Sequence, residues 1–416
     1  MRLIALIAAA LAAMTLAGCA GRPDGILVPV AETAPGASKV EMLVATTRSA
    51  QGATPGEMFT GERGQSVQFA DLTISIPPDS ARKIGEVQWP SGKIGNPATD
   101  FVTLKAEKLV PKEAARRFSA RIKRTPHRQV LLFVHGYNTR FEEAVYRFAQ
   151  IVHDSHAEVQ PVLFTWPSRG QLLAYGYDRE SANYSRDALE SILQILAKDP
   201  NVGEISILAH SMGNWVTMEA LRQMAIRNKG LAPKIKNVML ASPDVDPDVF
   251  RRQLAEIGPK RPPFILFTSQ DDAALGLSKR VWGGLPRLGA VDPSKEPYKS
   301  EFAAEKLTVV DLTKVKANNS IAHDKFAQSG VVNAIGARLA SGQALGDDGA
   351  SFGETLGQVA TGAVSTVGTA ASIIVTAPVA IIDPRSREAF GSQFNRLGAN
   401  ASNLLRSGTV EGAIPY

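Results

Sequence analysis

The residues Ala209 to Gly213 read Ala-His-Ser-Met-Gly, and their spacing is typical of a serine nucleophile in a tight turn. The apolar run 205–209 predicts a buried strand before the turn, and helical spacing begins after Gly213. A serine between such a strand and helix has a strained backbone, which requires small residues two positions before and after it. We therefore predict that Ser211 attacks an acyl carbonyl.

A serine nucleophile needs a general base, and the order of residues along the chain restricts the choice. In folds that carry the serine on a strand-to-helix turn, the acid and then the histidine follow the serine. Of the six histidines in this chain, only His323 comes after Ser211. His323 follows the apolar run 307–312, so we predict that it lies in a loop leaving a late strand and acts as the base.

The third residue of such a site is a carboxylate that orients the imidazole and stabilises the imidazolium ion. The apolar run 263–268 predicts a strand, and Asp271 and Asp272 follow it closely. Either carboxylate could reach a histidine that leaves the last strand, and the residues themselves leave both possible. Asp244 and Asp246 follow an earlier strand, where a turn or a helix cap explains them equally well.

Backbone N–H groups must stabilise the negative charge that develops on the carbonyl oxygen. The apolar run 130–134 predicts a strand that breaks at His135 and Gly136, about 75 residues before the serine, where the loop of an oxyanion hole is expected. We predict that Gly136 or Tyr137 supplies one N–H group and that Met212 supplies the other. His135 precedes the serine, so we interpret it as orienting this loop.

Strand patterns and helix patterns alternate through the middle of the chain. The predicted buried strands are 130–134, 159–165, 205–209, 235–241, 263–268 and 307–312, and the predicted helices are 141–154, 179–198, 215–227 and 324–339. This alternation predicts an α/β fold with a mostly parallel sheet between two layers of helices. Residues 40–89 are expected to add antiparallel edge strands, and the long connection 275–302 is expected near the mouth of the site.

These motifs resemble the α/β-hydrolase superfamily, and within it a bacterial branch of uncharacterised esterase/lipase-like lipoproteins. The resemblance covers roughly residues 40–340. Besides the serine turn, the segments that carry it are 44–48, 72–77, 135–138, 164–168, 177–179, 242–244 and 287–289. It implies an α/β-hydrolase fold and an ester substrate. Because Ser269-Gln270-Asp271-Asp272 resembles the Ser-x-x-Asp segment of that branch, the resemblance favours Asp272 over Asp271 as the acid.

The N-terminus has the pattern of a bacterial lipoprotein signal. A basic residue at position 2 precedes an apolar run, and Leu16-Ala17-Gly18-Cys19 contains the only cysteine of the chain. This pattern predicts a signal peptide over residues 1–18, lipidation of Cys19 and a flexible tether over residues 19–38. Ala20 rather than aspartate follows the cysteine, so we expect a lipid-anchored protein of the cell envelope, at the outer membrane and facing the periplasm.

Composition is consistent with one large domain plus appendages. The chain has 416 residues, 44% of them hydrophobic and 21% charged, and we assign residues 39–340 to the domain. The net charge of +6 comes without a basic-aromatic pattern, so no nucleic acid partner is expected. A lipidated Cys19 leaves no thiol for a disulfide or a metal site, and no cofactor or metal is expected. Residues 341–416 are interpreted as a linker and an Ala/Gly-rich tail.

The sequence as a whole predicts a lipid-anchored serine hydrolase that acts on small-molecule or lipid carboxylic esters. An acyltransferase of the same fold would use the same residues with a different second nucleophile. A non-catalytic envelope binding protein is the remaining alternative. It is disfavoured because a scaffold has no physical need for serine, aspartate and histidine in this order.

Overall fold

A computed structural model of the chain describes residues 24–52, 56–317 and 319–340. Their centre is a nine-stranded sheet in the order β3-β2-β1-β5-β4-β6-β7-β8-β9. The strands are β1 Ser38–Ala50, β2 Phe59–Ile76, β3 Val102–Leu109, β4 Gln129–Val134, β5 Gln160–Thr165, β6 Glu204–His210, β7 Ile235–Ala241, β8 Phe264–Thr268 and β9 Thr308–Asp311. In this spatial order, each pair of neighbouring strands in the part β1-β5-β4-β6-β7-β8-β9 is parallel. Strand β2 pairs antiparallel with both β1 and β3.

Helices cover both faces of this sheet. They are α1 Pro111–Ile122, α2 Phe141–Ser155, α3 Tyr175–Lys198, α4 Gly213–Asn228, α5 Pro247–Ile257, α6 Ala273–Val281, α7 Tyr298–Ala304 and α8 Ser329–Ala340. The side chains of β4 alternate between two cores: Leu131 and Phe133 pack with α2 and α8, whereas Val130 and Leu132 pack with α1, α3 and α4. The predicted α/β fold class is confirmed.

The N-terminal part of the sheet agrees with the prediction in part. Residues 40–89 supply the antiparallel pair of β1 and β2, but β1 also pairs in parallel with β5, and the edge strand β3 comes from later in the chain. The predicted tether 19–38 is also shorter than expected. Ile26 and Leu27 are buried in the core, and the Leu27 N–H donates to the Gly56 carbonyl at 3.2 Å. Apolar side chains at these two positions explain why the chain packs on the domain there.

The long connection 275–302 is largely helical. It holds most of α6, a short 3₁₀ helix at Leu288–Ala290 and the start of α7. Because α6 follows β8 at the carboxyl end of the sheet, this connection lies at the edge where ligand sites of parallel sheets form.

Several predictions concern segments outside the described residues. These are the signal peptide 1–18, the lipidation site Cys19 and the tail 341–416. Among the residues that the structure describes, no helix combines the length and apolarity needed to cross a membrane.

Candidate active site

Ser211 lies between β6 and α4 in the strained backbone conformation that its motif predicts. Its φ is +53°, in the left-handed region that a residue with a side chain rarely adopts. The Ser211 N–H donates to the Ala241 carbonyl at 2.9 Å, and the Ser211 carbonyl accepts the side-chain N–H of Asn214 at 2.9 Å. Hydrogen bonds on both sides of the residue therefore hold this turn.

Gly213 explains why the turn needs a small residue after the serine. A Cβ atom at this position would lie 2.3 Å from the His135 carbonyl oxygen and 2.7 Å from that of Val134. No such contact is tolerated between a carbon and a backbone oxygen, so only glycine lets α4 start this close to the end of β4.

His323 forms a hydrogen bond with Asp272. The His323 Nδ1 and the Asp272 Oδ2 are 2.7 Å apart, and the Asp272 side chain is fully buried. The other carboxylate oxygen accepts the Leu275 N–H at 3.0 Å and caps α6. A carboxylate held from both sides orients the imidazole with Nδ1 protonated, which leaves Nε2 as its proton acceptor.

Asp271, the other carboxylate that the residues left possible, points to a different partner. Both of its oxygens lie 2.8 Å from the buried Lys325 Nζ, and Oδ1 also accepts the Ser269 hydroxyl at 2.5 Å. The structure thus brings Asp272, and not Asp271, to His323. The resemblance favoured the same choice.

The pKa of His323 results from opposing effects. Burial lowers it, but the negative charge and the hydrogen bond of Asp272 raise it, with further help from the charges of Asp324 and Asp244. The balance raises the pKa of His323 above its ordinary value. Such a histidine binds a proton readily at the moment when a serine hydroxyl releases one.

A second histidine, which sequence reasoning did not select, lies beside His323. The rings of His210 and His323 have centroids 4.7 Å apart. Burial first, and then the positive charge of a protonated His323, lower the pKa of His210 to about 3, so it stays neutral near pH 7. Its Nε2 has no hydrogen-bond partner among the described residues and lies 3.7 Å from the Asp324 Oδ1. The sequence signal that could have identified His210 as a site residue is its position directly before Ser211.

The loop predicted to form the oxyanion hole touches the serine turn. A Cβ atom on Gly136 would lie 2.8 Å from the Ser211 Cβ, so the two backbones meet here because position 136 has no side chain. Met212 is the N-cap residue of α4 and has helical backbone angles, and N–H groups at the N-terminus of a helix lack acceptors within the helix. The Tyr137 hydroxyl donates to the Leu172 carbonyl.

His135 makes hydrogen bonds that fix the position of this loop. Its Nδ1 donates to the Gly136 carbonyl at 2.8 Å, while its Nε2 accepts the Trp166 N–H at 3.1 Å and faces the Arg48 guanidinium at 3.4 Å. Burial, and then the charge of Arg48, keep the pKa of His135 well below its ordinary value. These contacts agree with the interpretation that His135 orients the loop.

Asp244, for which the sequence leaves a turn role and a role in the site equally possible, lies in a buried network. Its Oδ1 accepts the Arg287 Nε–H at 2.7 Å and the Ser278 hydroxyl at 2.7 Å, and its Oδ2 accepts the Tyr175 hydroxyl at 2.6 Å. This network ties the end of β7 to α3 and α6. Asp246 caps α5 through the Asp248 N–H, as the alternative interpretation predicted.

A cavity of 220 Å³ opens beside these residues. Its wall includes His323, Gly136 and Tyr137 together with Trp89 and Phe326, so a ligand here would lie between the imidazole and the loop. Among the described residues, no three or more His, Cys, Asp or Glu side chains are grouped so that they could hold a metal ion.

The sheet, the serine turn and the histidine–aspartate pair together define an α/β-hydrolase. Residues 110–340, more than half of the chain, match the family described as "Alpha/beta hydrolase of unknown function (DUF900)". The chain belongs to this family.

A curated relative and two solved structures are also similar to the chain. "Uncharacterized protein alr1448" of Nostoc sp. (strain PCC 7120 / SAG 25.82 / UTEX 2576) is 25% identical over 168 residues, which are 33% of this chain and 44% of that protein. The chain therefore matches less than half of this relative's length. A crystal structure of ESTFA in an Fe-lacking apo form has 11% identity and a TM-score of 0.26, over 64% of this chain and 72% of that one. An esterase structure from Rhizomucor miehei has 13% identity and a TM-score of 0.29, over 66% and 78%.

Proposed function

We propose that this chain is a serine hydrolase that cleaves carboxylic esters through an acyl-enzyme intermediate. The observation that carries the proposal is the 2.7 Å hydrogen bond between His323 and the buried Asp272, at the sheet edge where Ser211 occupies its strained turn. Strain of this kind persists only where the surrounding structure maintains it, and it is common at reactive residues.

Each residue has a defined role in the proposed reaction. The Ser211 Oγ attacks the ester carbonyl while the His323 Nε2 takes its proton, and Asp272 stabilises the imidazolium. The N–H groups of Met212 and of Gly136 or Tyr137 donate to the oxyanion. His323 then returns the proton to the leaving alcohol. Water, activated by the same imidazole, hydrolyses the acyl-enzyme and releases the carboxylic acid.

The site of action belongs to the proposal as well. Lipidation of Cys19 would anchor the enzyme in the cell envelope, at the outer membrane and facing the periplasm, as the signal pattern of residues 1–18 predicts. Its substrate would be a small-molecule or lipid ester.

The experiment is to label the purified protein with an alkyl fluorophosphonate and to measure hydrolysis of esters of increasing chain length. We expect label on Ser211, and we expect Ser211→Ala to lose both label and activity. Ser191→Ala, a variant of an exposed serine on α3, is the matched control and should keep both. A folded protein that takes no label would contradict the proposal and favour a non-catalytic binding protein. Ester turnover retained in Ser211→Ala would exclude this residue as the nucleophile.

A further inference from the structure

Large apolar side chains are exposed at one place in unusual number. Thirteen such side chains are exposed in the part of the chain that the structure describes, and seven of them come from three segments beside the candidate active site. These seven, here called the apolar rim, are Leu172, Leu173, Leu277, Val281, Trp282, Leu285 and Ile321. A contiguous apolar surface of this kind marks an interaction site rather than ordinary exposure.

Contacts between the segments make the rim one surface. Leu172 and Leu173 lie three and two residues before Tyr175, whose hydroxyl accepts the Trp282 indole N–H at 3.0 Å. Leu277 and Val281 are one helical turn apart on α6 and therefore lie on the same side of it. At the start of α6, the Ala273 N–H donates to the Ile321 carbonyl at 3.0 Å.

The rim is built on the segments that hold the proposed catalytic residues. The helix that carries Leu277 and Val281 is capped by Asp272, the partner of His323. The Leu172 carbonyl accepts the hydroxyl of Tyr137, which belongs to the loop proposed to stabilise the oxyanion. A partner that covers the rim therefore lies next to the segments that hold Asp272 and the proposed oxyanion loop.

The charges that the rim helix α6 exposes are positive, since Lys279 and Arg280 are both exposed there. Two partly exposed carboxylates near the rim, Asp271 and Asp324, are paired with Lys325 and Arg147. The stretch 273–290 contains no aspartate or glutamate. The Arg179 guanidinium lies 3.2 Å from the Trp215 ring centroid and 5.9 Å from that of Trp282, and its buried Nη1 has no hydrogen-bond partner among the described residues. Apolar side chains with cations beside them match a surface of anionic lipid.

The proposed lipid anchor is attached at the same edge of the sheet. Asp24 and Gln51 line one surface cavity, and Gln51 directly follows β1. Because β1 is parallel to β5, this end of β1 lies at the edge that carries the serine turn. Only five residue steps separate Cys19 from Asp24, so a lipid on Cys19 would hold this edge within about 18 Å of the membrane.

We propose that the apolar rim docks on a bilayer that contains anionic phospholipids and so brings a membrane-borne ester to Ser211. The docking follows from the rim itself, whereas the identity of the substrate rests on the proposed function. Insertion of the apolar side chains supplies affinity, and the exposed Lys279 and Arg280 select a bilayer with negative headgroups.

The test is flotation of the full chain with lipid vesicles, in a Cys19→Ser background so that no lipid anchor contributes. The double variant Leu173→Glu/Leu277→Glu should bind vesicles of phosphatidylcholine and phosphatidylglycerol about tenfold less, because each inserted leucine loses several buried methylene groups. The control pair Ile94→Glu/Ile226→Glu replaces apolar side chains that are also exposed, but outside the rim, and should bind as the parent protein does. Lys279→Glu/Arg280→Glu should weaken binding to anionic vesicles much more than to phosphatidylcholine alone.

Equal vesicle binding by Leu173→Glu/Leu277→Glu and by Ile94→Glu/Ile226→Glu would overturn the proposal. It would also be overturned if the parent bound no vesicles but sedimented as a dimer, and if Leu173→Glu/Leu277→Glu abolished that dimer. A second copy of the chain would then cover the rim. Thermal unfolding followed by circular dichroism shows whether each variant folds. If Leu173→Glu/Leu277→Glu does not fold, Leu173→Ser/Leu277→Ser takes its place in the test. Ester hydrolysis by the parent protein separates the two proposals: a parent that floats with vesicles but hydrolyses no ester supports the docking and contradicts the proposed enzyme.

Discussion

Asp271 and Asp272 are neighbours in the chain, but their carboxylates have different partners, and their variants should differ accordingly. Asp272→Asn removes the charge that stabilises the His323 imidazolium and offers an amide in place of the acceptor, so we expect ester turnover to fall about 10³- to 10⁴-fold. Asp271→Asn affects the contact with Lys325 and should lower turnover less than about tenfold. Steady-state kinetics on one soluble ester compares them. A larger loss in Asp271→Asn would reverse the assignment.

The raised pKa of His323 predicts the pH dependence of activity. The imidazole must be neutral to accept the serine proton, so kcat/KM should fall as the pH falls through the pKa of His323. That pKa is raised above the ordinary value of 6.5, so we expect the midpoint of the acid limb above 6.5. Asp272→Asn removes the carboxylate that raises the pKa, and the residual activity of this variant should have its midpoint at lower pH. A parent midpoint below 6.5 would contradict the assignment of the base.

At the scale of elements, the approach of α4 to β4 depends on Gly213. A methyl group there would lie 2.3 Å from the His135 carbonyl oxygen, so Gly213→Ala must displace the helix or the loop. We expect a loss of several kcal/mol in the free energy of unfolding, about 3 kcal/mol or more, as for other overpacked sites. Urea unfolding followed by circular dichroism measures it.

The matched control is Gly276→Ala in α6, because a Cβ atom there has no heavy atom within 4 Å. This variant should be neutral or stabilised by about 0.5–1 kcal/mol, since alanine is the better helix former. If the two variants have the same stability, then close packing at the serine turn does not explain why position 213 is glycine.

At the scale of the whole molecule, two buried neutral histidines predict how stability depends on pH. Burial lowers the pKa of His210 to about 3 and that of His135 well below its ordinary value. Below pH 6.5 the unfolded chain therefore binds protons that the folded protein does not. The free energy of unfolding should then fall by about 1 kcal/mol per pH unit for each histidine. His323 has the opposite sign: its raised pKa gives stability that is present at low pH and lost as the pH rises through that value.

Urea unfolding at about pH 7 and about pH 5.5 tests this balance. The loss of stability between the two pH values should be smaller in His210→Gln than in the parent protein, whatever the absolute stability of the variant. His127→Asn, at an exposed site with a positive φ that asparagine tolerates, should leave the loss unchanged. An undiminished loss in His210→Gln would show that His210 is not held neutral.

Location is also a property of the whole molecule. Cys19→Ser removes the atom that would carry the lipid, and two or more acyl chains are needed for a stable anchor. We expect this variant as an unprocessed precursor or as a protein released into the periplasm, as measured by fractionation and carbonate extraction. If it remains carbonate-resistant in the membrane fraction, a second element anchors the chain, and the uncharged segment 355–382 would be the first to delete.

Features encoded by nearby residues could be predicted from the sequence alone. Apolar runs and helical spacing predicted six of the parallel strands, β4 to β9, and four of the eight α-helices of the described residues, because side-chain periodicity reports which faces are buried. The small residues around Ser211 predicted its strained turn, since their cause is steric and local. Chain order then restricted the choice of base to His323.

The tertiary structure decided what depends on residues far apart in the chain. Asp272 and His323 are 51 positions apart, and apart from the resemblance of residues 269–272 to the Ser-x-x-Asp segment, the residues themselves leave open which aspartate faces the imidazole. The burial of His210, the network around Asp244 and the assembly of the apolar rim likewise require several loops to meet at one sheet edge. Periodicity describes one element at a time, whereas the packing of loops is set by contacts between elements, and for this reason only the folded chain reveals them.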